Sequence, residues 1–261
     1  MSETGIFVAA NGSISATELA RGPWDPNAQH GGAPAALMMR AFERLPAAEG
    51  LVLARITYEF LRPAPLGQLD VEAVVARPGR RVQLLEGSIS ANGTEVVRAR
   101  ALQVRSVDIG SASALGAGPE PPPPGPREGR PNEFVPTFRP MFAPDAIEIR
   151  FVAGTFGGGP STAWFRLRAP VVAGEEPTPL QRLAAAGDFG NGISSVLPWG
   201  EYLFINPDLT LYIERPPVGE WICLNAQTSI ALDGIGTAEA VLYDTRGRVG
   251  RATQALLIAP L

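Results

Sequence analysis

The chain has 261 residues, of which 45% are hydrophobic and 18% are charged, and its formal net charge at pH 7 is −4. Such a composition is typical of a soluble globular protein with a sizeable core, and the mild negative charge argues against a surface that binds nucleic acid. The single cysteine, Cys223, excludes an internal disulfide and a multi-cysteine zinc site. Because the N-terminus has no signal-peptide pattern and no apolar run approaches the ~20 residues of a membrane span, we expect a cytoplasmic protein without a membrane span.

The first hundred residues predict a buried helix followed by a run of strands. A short strand near 6–10 and a loop rich in Gly, Pro and Asn precede a helix over about 31–45. This helix is apolar on nearly every face, which is typical of a helix buried in a core. Strands follow, separated by turn signals such as Asn92-Gly93. They are predicted at 51–62, 68–78, 80–91 and 94–105.

Residues 106–145 predict a connector. The stretch contains Gly116-Ala117-Gly118 and then prolines at 121 to 124, 126, 131, 136 and 140. Proline fixes φ and lacks a backbone N–H, so this composition cannot form a helix interior or a central strand. We therefore expect an extended, semi-rigid linker of the polyproline type along the surface.

The second half repeats the order of the first. Strands are predicted at 146–154 and 161–168, followed by a helix from about 179 to 197. Thr178 is a good N-cap for this helix and Pro179 a good first residue. A final run of strands is predicted at 203–215, 220–232, 235–243 and 248–259.

The two halves are related by a sequence offset of 153 positions. Arg62-Pro63 falls on Arg215-Pro216, and Arg98-Ala99 falls on Arg251-Ala252 without a gap. A period of this length indicates two whole domains rather than a solenoid of short repeats. We therefore predict an N-terminal domain at 1–105, a linker at 106–145 and a C-terminal domain at 146–261. One buried helix followed by long antiparallel strands, twice, predicts an α+β double hotdog whose halves pack as a pseudo-dimer.

A few polar residues of the second half stand in apolar surroundings. Asp188 lies in an alanine-rich segment that we expect to be the middle of a buried helix, and a buried carboxylate without partners is costly. Asn206 and Gln254 could satisfy it, and Gln254 falls on Ala101 in the repeat. These three residues could hold a water for which Asp188 acts as general base. The alternative is an internal hydrogen-bond network without chemistry, and Asp208 is expected to be a turn or strand-start residue.

The first half contains a glycine turn that could form the oxyanion-binding part of a site. His30-Gly31-Gly32 precedes the buried helix, and the glycines would let a substrate carbonyl approach free backbone N–H groups. The helix dipole adds positive charge where an oxyanion would develop. His30, the only histidine, is either a loop or helix-cap residue or a substrate or catalytic contact. Since it has no partner ligands, we expect no metal, and nothing in the sequence calls for a cofactor.

These motifs resemble the acyl-CoA thioesterase II family, which has a double-hotdog fold. The resemblance rests on Ala184 to Phe189 around Asp188, on Asn206-Pro207-Asp208 ahead of a strand ending Glu214-Arg215-Pro216, and on Ala252-Thr253-Gln254. It implies hydrolysis of fatty acyl-CoA, or a related acyl-CoA, to free acid and CoA by water attack assisted by Asp188, Asn206 and Gln254. The family usually has a hydroxyl where this chain has Asn206, which cannot relay a proton.

The His30-Gly31-Gly32 triplet also resembles the single-hotdog thioesterases of phenylacetate degradation. In those enzymes an acid about nine residues further on acts with the glycines of the opposite subunit. The corresponding first-half position here is Met39-Arg40, which lacks a carboxylate. The resemblance implies that the first half supplies the oxyanion hole and the second half the base, giving one site per chain.

Two other functions remain open from the sequence. Asp25 and His30 resemble the hydration motif of (R)-specific enoyl-CoA hydratases, and a non-catalytic acyl-CoA-binding hotdog protein is the other alternative. Candidate contacts for the CoA phosphates are Arg62, Arg80, Arg81, Arg215 and Arg251. Because hotdog sheets have edges and faces that need covering, we expect a homodimer or a higher homo-oligomer.

Overall fold

One continuous antiparallel sheet of fourteen strands forms the framework of the described part of the chain. The computed structural model describes residues 4–10, 12–46, 48–110, 121–133, 135 and 139–261. The first half contributes β1 (Phe7–Ala10), β2 (Ser13–Ala16), β3 (Leu51–Phe60), β4 (Gly67–Arg77), β5 (Val82–Ala91) and β6 (Thr94–Arg105). The second half contributes β7 (Arg130–Pro131), β8 (Ile147–Ala153), β9 (Ser161–Leu167), β10 (Tyr202–Ile205), β11 (Asp208–Ile213), β12 (Ile222–Ile230), β13 (Ile235–Asp244) and β14 (Gly247–Pro260).

The two halves join edge to edge through β3 and β11. The strand order is β1-β2-β4-β5-β6-β3-β11-β14-β13-β12-β9-β8-β7, and β10 pairs separately with β14. At the seam Thr57 lies directly opposite Thr210, and the hydroxyls of these two residues, 153 positions apart, are 3.0 Å from each other. A residue that faces its own repeat partner marks a pseudo-two-fold axis.

The repeat is present in the strand register and in the turns. Thr57 pairs with Arg100 across β3 and β6, and Thr210 pairs with Thr253 across β11 and β14. Just beyond these strands, the Leu61 N–H donates to the Val96 oxygen and the Glu214 N–H donates to the Val249 oxygen. All of these pairs obey the same offset, so the double hotdog predicted from the sequence is confirmed.

The helices lie on the inner face of the sheet. α1 (Gly32–Glu43) packs against β4 and β5, and α2 (Pro179–Gly187) packs against β9 and β12. The two helices lie side by side in opposite directions, because the end of α1 contacts Thr178 while the start of α1 approaches Ala185. The Thr178 hydroxyl caps α2 by accepting from the Gln181 N–H at 3.2 Å. Among the described residues no helix is long and apolar enough to cross a membrane.

Two predicted elements are broken in the structure. The helix expected over 179–197 ends at Gly187, and a separate short helix, α3 (Gly190–Ile193), follows after Asp188 and Phe189. Three glycines, at positions 187, 190 and 192, lower the helix propensity of this segment. The strand expected over 203–215 is interrupted at Asn206-Pro207, because proline cannot donate to a strand ladder.

The predicted linker is partly described. Residues 111–120, 134 and 136–138, which include Gly116-Ala117-Gly118 and Pro136, lie outside the described residues. Part of the remainder packs on the second half, since β7 pairs with β8 and the Trp164 indole N–H donates to the Pro124 oxygen at 2.7 Å. Pro140 and Phe142, near its end, instead form hydrogen bonds with Arg21 of the first half. The domain limits 1–105, 106–145 and 146–261 stay a prediction.

Candidate active site

A cavity of about 380 Å³ lies where the start of α1 meets the end of α2. Its wall includes His30 and Gly31 from the first half and Asp188 and Asn206 from the second. The volume falls within the range of about 300–1,000 Å³ that is usual for small-molecule sites. The structure therefore brings four of the six predicted site residues to the wall of one cavity.

Asp188 is the buried carboxylate of this cavity, with 4% of its surface exposed. It was expected in the middle of a helix, but it forms the C-terminal cap of α2. The negative end of its own helix dipole disfavours a carboxylate there, whereas the N-terminus of α1 favours it. Its Oδ1 accepts hydrogen bonds from Asn206 Nδ2 at 2.8 Å and from Gln254 Nε2 at 3.3 Å. The contacts expected between these three residues are present.

Gln254 lies behind Asp188 rather than in the cavity wall. Its Nε2 donates to the Asp188 carboxylate and to the Asp188 backbone oxygen at 3.2 Å, and its Oε1 accepts from the Asn191 N–H at 3.0 Å. A Cβ on Gly190 would lie 2.8 Å from Oε1, so glycine is needed for this approach. Both ends of the amide thus have protein partners, one of which is the Asp188 carboxylate.

Asn206 lies in the break between β10 and β11. Its Nδ2 donates both to Asp188 Oδ1 and to the backbone oxygen of Asp208, at 2.8 and 3.0 Å. The break that Pro207 imposes on the strand therefore places the amide against the carboxylate. Asp208 is the first residue of β11, which is the strand-start position predicted for it, and its Oδ1 accepts from the Ala255 N–H at 2.6 Å.

The two glycines before α1 are required for close packing. A Cβ on Gly31 would lie 2.7 Å from Asp188 Oδ2, and a Cβ on Gly32 would lie 2.5 Å from the Ala185 oxygen. The φ of Gly31 is −57°, which any residue adopts, so space rather than backbone conformation selects glycine. Gly31 lines the cavity, whereas Gly32 packs against the end of α2.

His30 contacts the start of α1 and also lines the cavity. Its Nδ1 lies 3.1 Å from the backbone nitrogen of Gly32, at the start of α1, and 3.1 Å from Asp188 Oδ2. Its ring stacks on Phe189 at a centroid distance of 4.3 Å. Asp25, the other member of the hydratase-like pair, is exposed and accepts from the Asn27 N–H at 2.8 Å. The carboxylate that faces His30 is therefore Asp188.

The first half carries a carboxylate that the sequence analysis did not identify. Met39 is buried in the core, and Arg40 donates to Glu175. At the end of α1, however, Glu43 contacts the Thr178 hydroxyl and Gln181 Nε2, each at 2.8 Å, at the start of α2. Burial raises the pKa of Glu43, although these hydrogen bonds oppose the shift. Glu43 thus lies at one junction of the two helices and Asp188 at the other, while Met39-Arg40 itself carries no carboxylate.

Aromatic side chains form much of the remaining cavity wall. Trp24 and Trp199 stack with ring centroids 4.5 Å apart, Phe204 meets Trp24 edge-on at 5.0 Å, and Phe156 lies 5.7 Å from Trp199. These residues come from separate loops and one short strand, and no spacing in the sequence relates them. Asn132, in the predicted linker, also lines the cavity, so the linker contributes to the site as well as connecting the halves.

The predicted arginine contacts separate into two groups. Arg62 lines the cavity, and its side chain also donates to the Glu95 backbone oxygen at 3.2 Å. Arg215 is engaged with the buried Asp244 through two hydrogen bonds of 2.6 Å. Arg80 and Arg81 are exposed near the β4–β5 turn, and Arg251 is exposed on β14. Arg62 is therefore the member of the set that reaches the cavity.

Solved structures share this fold over nearly the whole chain. A conserved protein of unknown function with a hot dog fold, from Alicyclobacillus acidocaldarius, has a TM-score of 0.75 at 18% identity, covering 97% of this chain and 96% of that one. A TesB protein of Mycobacterium avium subspecies paratuberculosis has a TM-score of 0.67 at 15% identity, covering 95% and 93%. The acyl-CoA thioesterase II TesB2 of Mycobacterium marinum has a TM-score of 0.66 at 14% identity, covering 88% and 89%. At these identities the likeness shows the fold.

Family profiles match both halves of the sequence. Residues 20–104 match the acyl-CoA thioesterase N-terminal domain, and residues 117–258 match the acyl-CoA thioesterase C-terminal domain. A search of curated proteins finds no significant match. The resemblance drawn from the motifs around Asp188, Asn206 and Gln254 is confirmed at the level of the family: the chain belongs to the acyl-CoA thioesterase family and is a thioester hydrolase.

Proposed function

We propose that this chain hydrolyses the thioester of fatty acyl-CoA, or of a related acyl-CoA, with Asp188 as the general base. The observation that carries the proposal is the position of this carboxylate. It is buried at a cavity wall, its Oδ1 is held by two amide donors, and its Oδ2 lies beside the turn that starts α1. Fixing Oδ1 in this way leaves Oδ2 to accept a proton.

The reaction follows from these positions. A water held by Asp188 attacks the thioester carbonyl carbon while the carboxylate takes one of its protons. The carbonyl oxygen becomes an oxyanion beside the start of α1, where the helix dipole favours negative charge. Among the described residues the Gly31 N–H has no protein acceptor, so it is the donor proposed for this oxyanion. The carbon–sulfur bond then breaks, and the CoA thiolate takes the proton from Asp188.

The absence of a hydroxyl at Asn206 fits this direct route. Asn206 cannot pass a proton, but both of its contacts in the site are donations that hold the carboxylate and the chain turn together. The proton therefore moves only between water, Asp188 and the leaving sulfur. In this proposal Asn206 and Gln254 orient the base, and His30 packs against it.

Hydrolysis of an acyl-CoA panel, followed by thiol release, tests the proposal. We expect wild-type protein to hydrolyse at least one acyl-CoA, and Asp188→Asn to lower kcat by about 10²–10⁴-fold with little change in KM. Glu43→Gln is the matched control, because it removes the carboxylate at the other helix junction without touching the cavity. It should keep most of the activity once circular dichroism shows that it is folded.

The alternatives give different results in the same experiment. Binding of acyl-CoA without thiol release would identify a non-catalytic binding protein. Hydration of crotonyl-CoA, followed at the enoyl absorbance, would identify a hydratase. If Asp188→Asn kept near-full hydrolysis while His30→Ala abolished it, the base would have been assigned to the wrong residue.

A further inference from the structure

Two tryptophans from opposite halves of the chain meet at one end of the cavity. Trp24 precedes α1 and Trp199 follows α3, and their rings stack with centroids 4.5 Å apart and planes 29° apart. Phe204 lies edge-on to both indoles, at 5.0 and 5.8 Å. Such offset and edge-on pairs add about 0.5–1.5 kcal/mol each beyond burial, so this aromatic group is held together by its own contacts.

The indole pair belongs to a partly exposed section of the cavity wall. Trp24 and Trp199 both line the cavity, and each has 38% of its surface exposed. Asp188, on the wall of the same cavity, is 4% exposed. The cavity wall therefore includes both a buried carboxylate and a partly exposed pair of indoles.

The cavity volume limits what can lie between the carboxylate and the indoles. A cavity of about 150 Å³ accommodates benzene, with six heavy atoms, so 380 Å³ holds about 15 heavy atoms. The thioester, the attacking water and the first atoms of the pantetheine arm take up about half of these. Roughly six to eight atoms remain for the acyl chain beyond the carbonyl.

We infer that Trp24 and Trp199 form the end wall of the acyl cavity and restrict the enzyme to acyl groups of about seven to nine carbons. The inference rests on the proposed function and adds the acyl class to it. A longer chain reaches the indoles and must displace them, which breaks the stack between the two halves. The enzyme should therefore discriminate against longer acyl groups, because each methylene that does not fit in a pocket lowers kcat/KM by about 10-fold or more.

The test compares hexanoyl-CoA with dodecanoyl-CoA in wild type and in Trp24→Ala and Trp199→Ala. The measured quantity is the ratio of the two kcat/KM values within one preparation, because the ratio does not depend on the fraction of folded enzyme. Wild type should favour hexanoyl-CoA by at least about 10-fold, and either substitution should raise the relative rate for dodecanoyl-CoA by about 10-fold.

Trp221→Ala is the matched control. Trp221 packs against the guanidinium groups of Arg150 and Arg166 and is not among the cavity-lining residues. It should leave the hexanoyl to dodecanoyl ratio as in wild type. A ratio that stays within twofold in both cavity variants, or a wild type that prefers dodecanoyl-CoA, would overturn the inference while leaving thioesterase activity intact. Absence of thiol release from every acyl-CoA in wild type would instead contradict the proposed function.

Discussion

Gln254 is the residue at which the two halves of the duplicated sheet differ most clearly at the site. It stands in an otherwise apolar strand, is 3% exposed, and divides its amide between Asp188 and the Asn191 N–H. A hydrogen bond to a charged group contributes about 1.5–3 kcal/mol. The amide therefore stabilises the orientation in which the carboxylate is observed.

Removing this amide should lower the rate less than removing the base. We expect Gln254→Ala to reduce kcat by about 10-fold and by less than about 100-fold, with KM little changed, because the mutation frees Asp188 but leaves the cavity wall in place. Steady-state kinetics on the acyl-CoA that wild type hydrolyses best measures the change. A larger loss than that of Asp188→Asn would contradict the assigned roles.

Gln83→Ala is a suitable control for Gln254→Ala. Gln83 is also a buried strand glutamine, and its Nε2 donates to Gln103 at 2.9 Å in the first half. Ala101 is the repeat position of Gln254, and from the sequence alone Ala101→Gln is expected to leave activity unchanged. Ala101 is in fact fully buried opposite Ile56 and Leu85, so a longer polar side chain would overpack the core there.

At the scale of elements, an ion pair ties the end of β11 to the turn between β13 and β14. Asp244 is fully buried and accepts two hydrogen bonds of 2.6 Å from Arg215. Burial by itself would raise the pKa of Asp244, but the hydrogen bonds from Arg215 and from the backbone N–H groups of Arg246 and Val218 lower it below its ordinary value. In the first half Ala91 stands in the repeat position of Asp244, so this connection belongs to one half.

The stability contributed by Asp244 should depend on pH. Because its folded-state pKa lies below the unfolded value of about 3.9, the contribution is present above that pH and is lost as the pH falls through the folded pKa. We expect Asp244→Asn to lower the free energy of unfolding by about 3 kcal/mol or more at about pH 7, and by progressively less below about pH 4. Urea unfolding of both proteins across this range measures the difference.

The exposed Glu95–Arg98 pair provides the comparison. It lies on β6 of the first half, and its two charges are screened by solvent. Glu95→Gln should therefore change the unfolding free energy little at any pH. An equal loss for both substitutions would show that burial of Asp244 is not the cause.

Local patterns predict the elements well and their interruptions poorly. The apolar face of residues 31–45 predicts α1, which is observed as Gly32–Glu43. The end of α2 at Gly187 is harder to foresee, because the alanines before it favour helix while the nearby glycines only weaken it. Glu43 was not identified from the sequence, because its contacts depend on where the ends of two antiparallel helices meet. The number of residues between His30 and Glu43 gives no information about that meeting point.

At the scale of the whole molecule, the outer surface of the sheet remains to be covered. Its end strands, β1 and β7, have only four and two residues, which limits pairing at the edges. Tyr212, at the central seam, is 50% exposed. We therefore keep the prediction of a homodimer formed through sheet faces. Light scattering at micromolar concentration should give twice the mass of the 27.5 kDa chain, and a particle of one chain mass would contradict it.

The predictability of the site follows from the repeat. The offset of 153 positions is a property of the chain itself, so the strand register and the Ala101–Gln254 difference could be read from the sequence. The aromatic wall could not, because Trp24 and Trp199 belong to loops that meet only when the halves pack. Contacts between loop residues that are far apart in the chain produce no periodic pattern or fixed spacing in a single sequence.

The pair Thr57 and Thr210 has a consequence for how this enzyme can change. In a homodimer of single-hotdog subunits, every substitution appears twice, once on each side of the axis. Here the axis passes between two residues of one chain, so a substitution alters one side and leaves its mirror position as it was. Ala101 and Gln254, for example, occupy equivalent positions of the repeat and already differ within one molecule. Either position can therefore be redesigned while the other stays as it is.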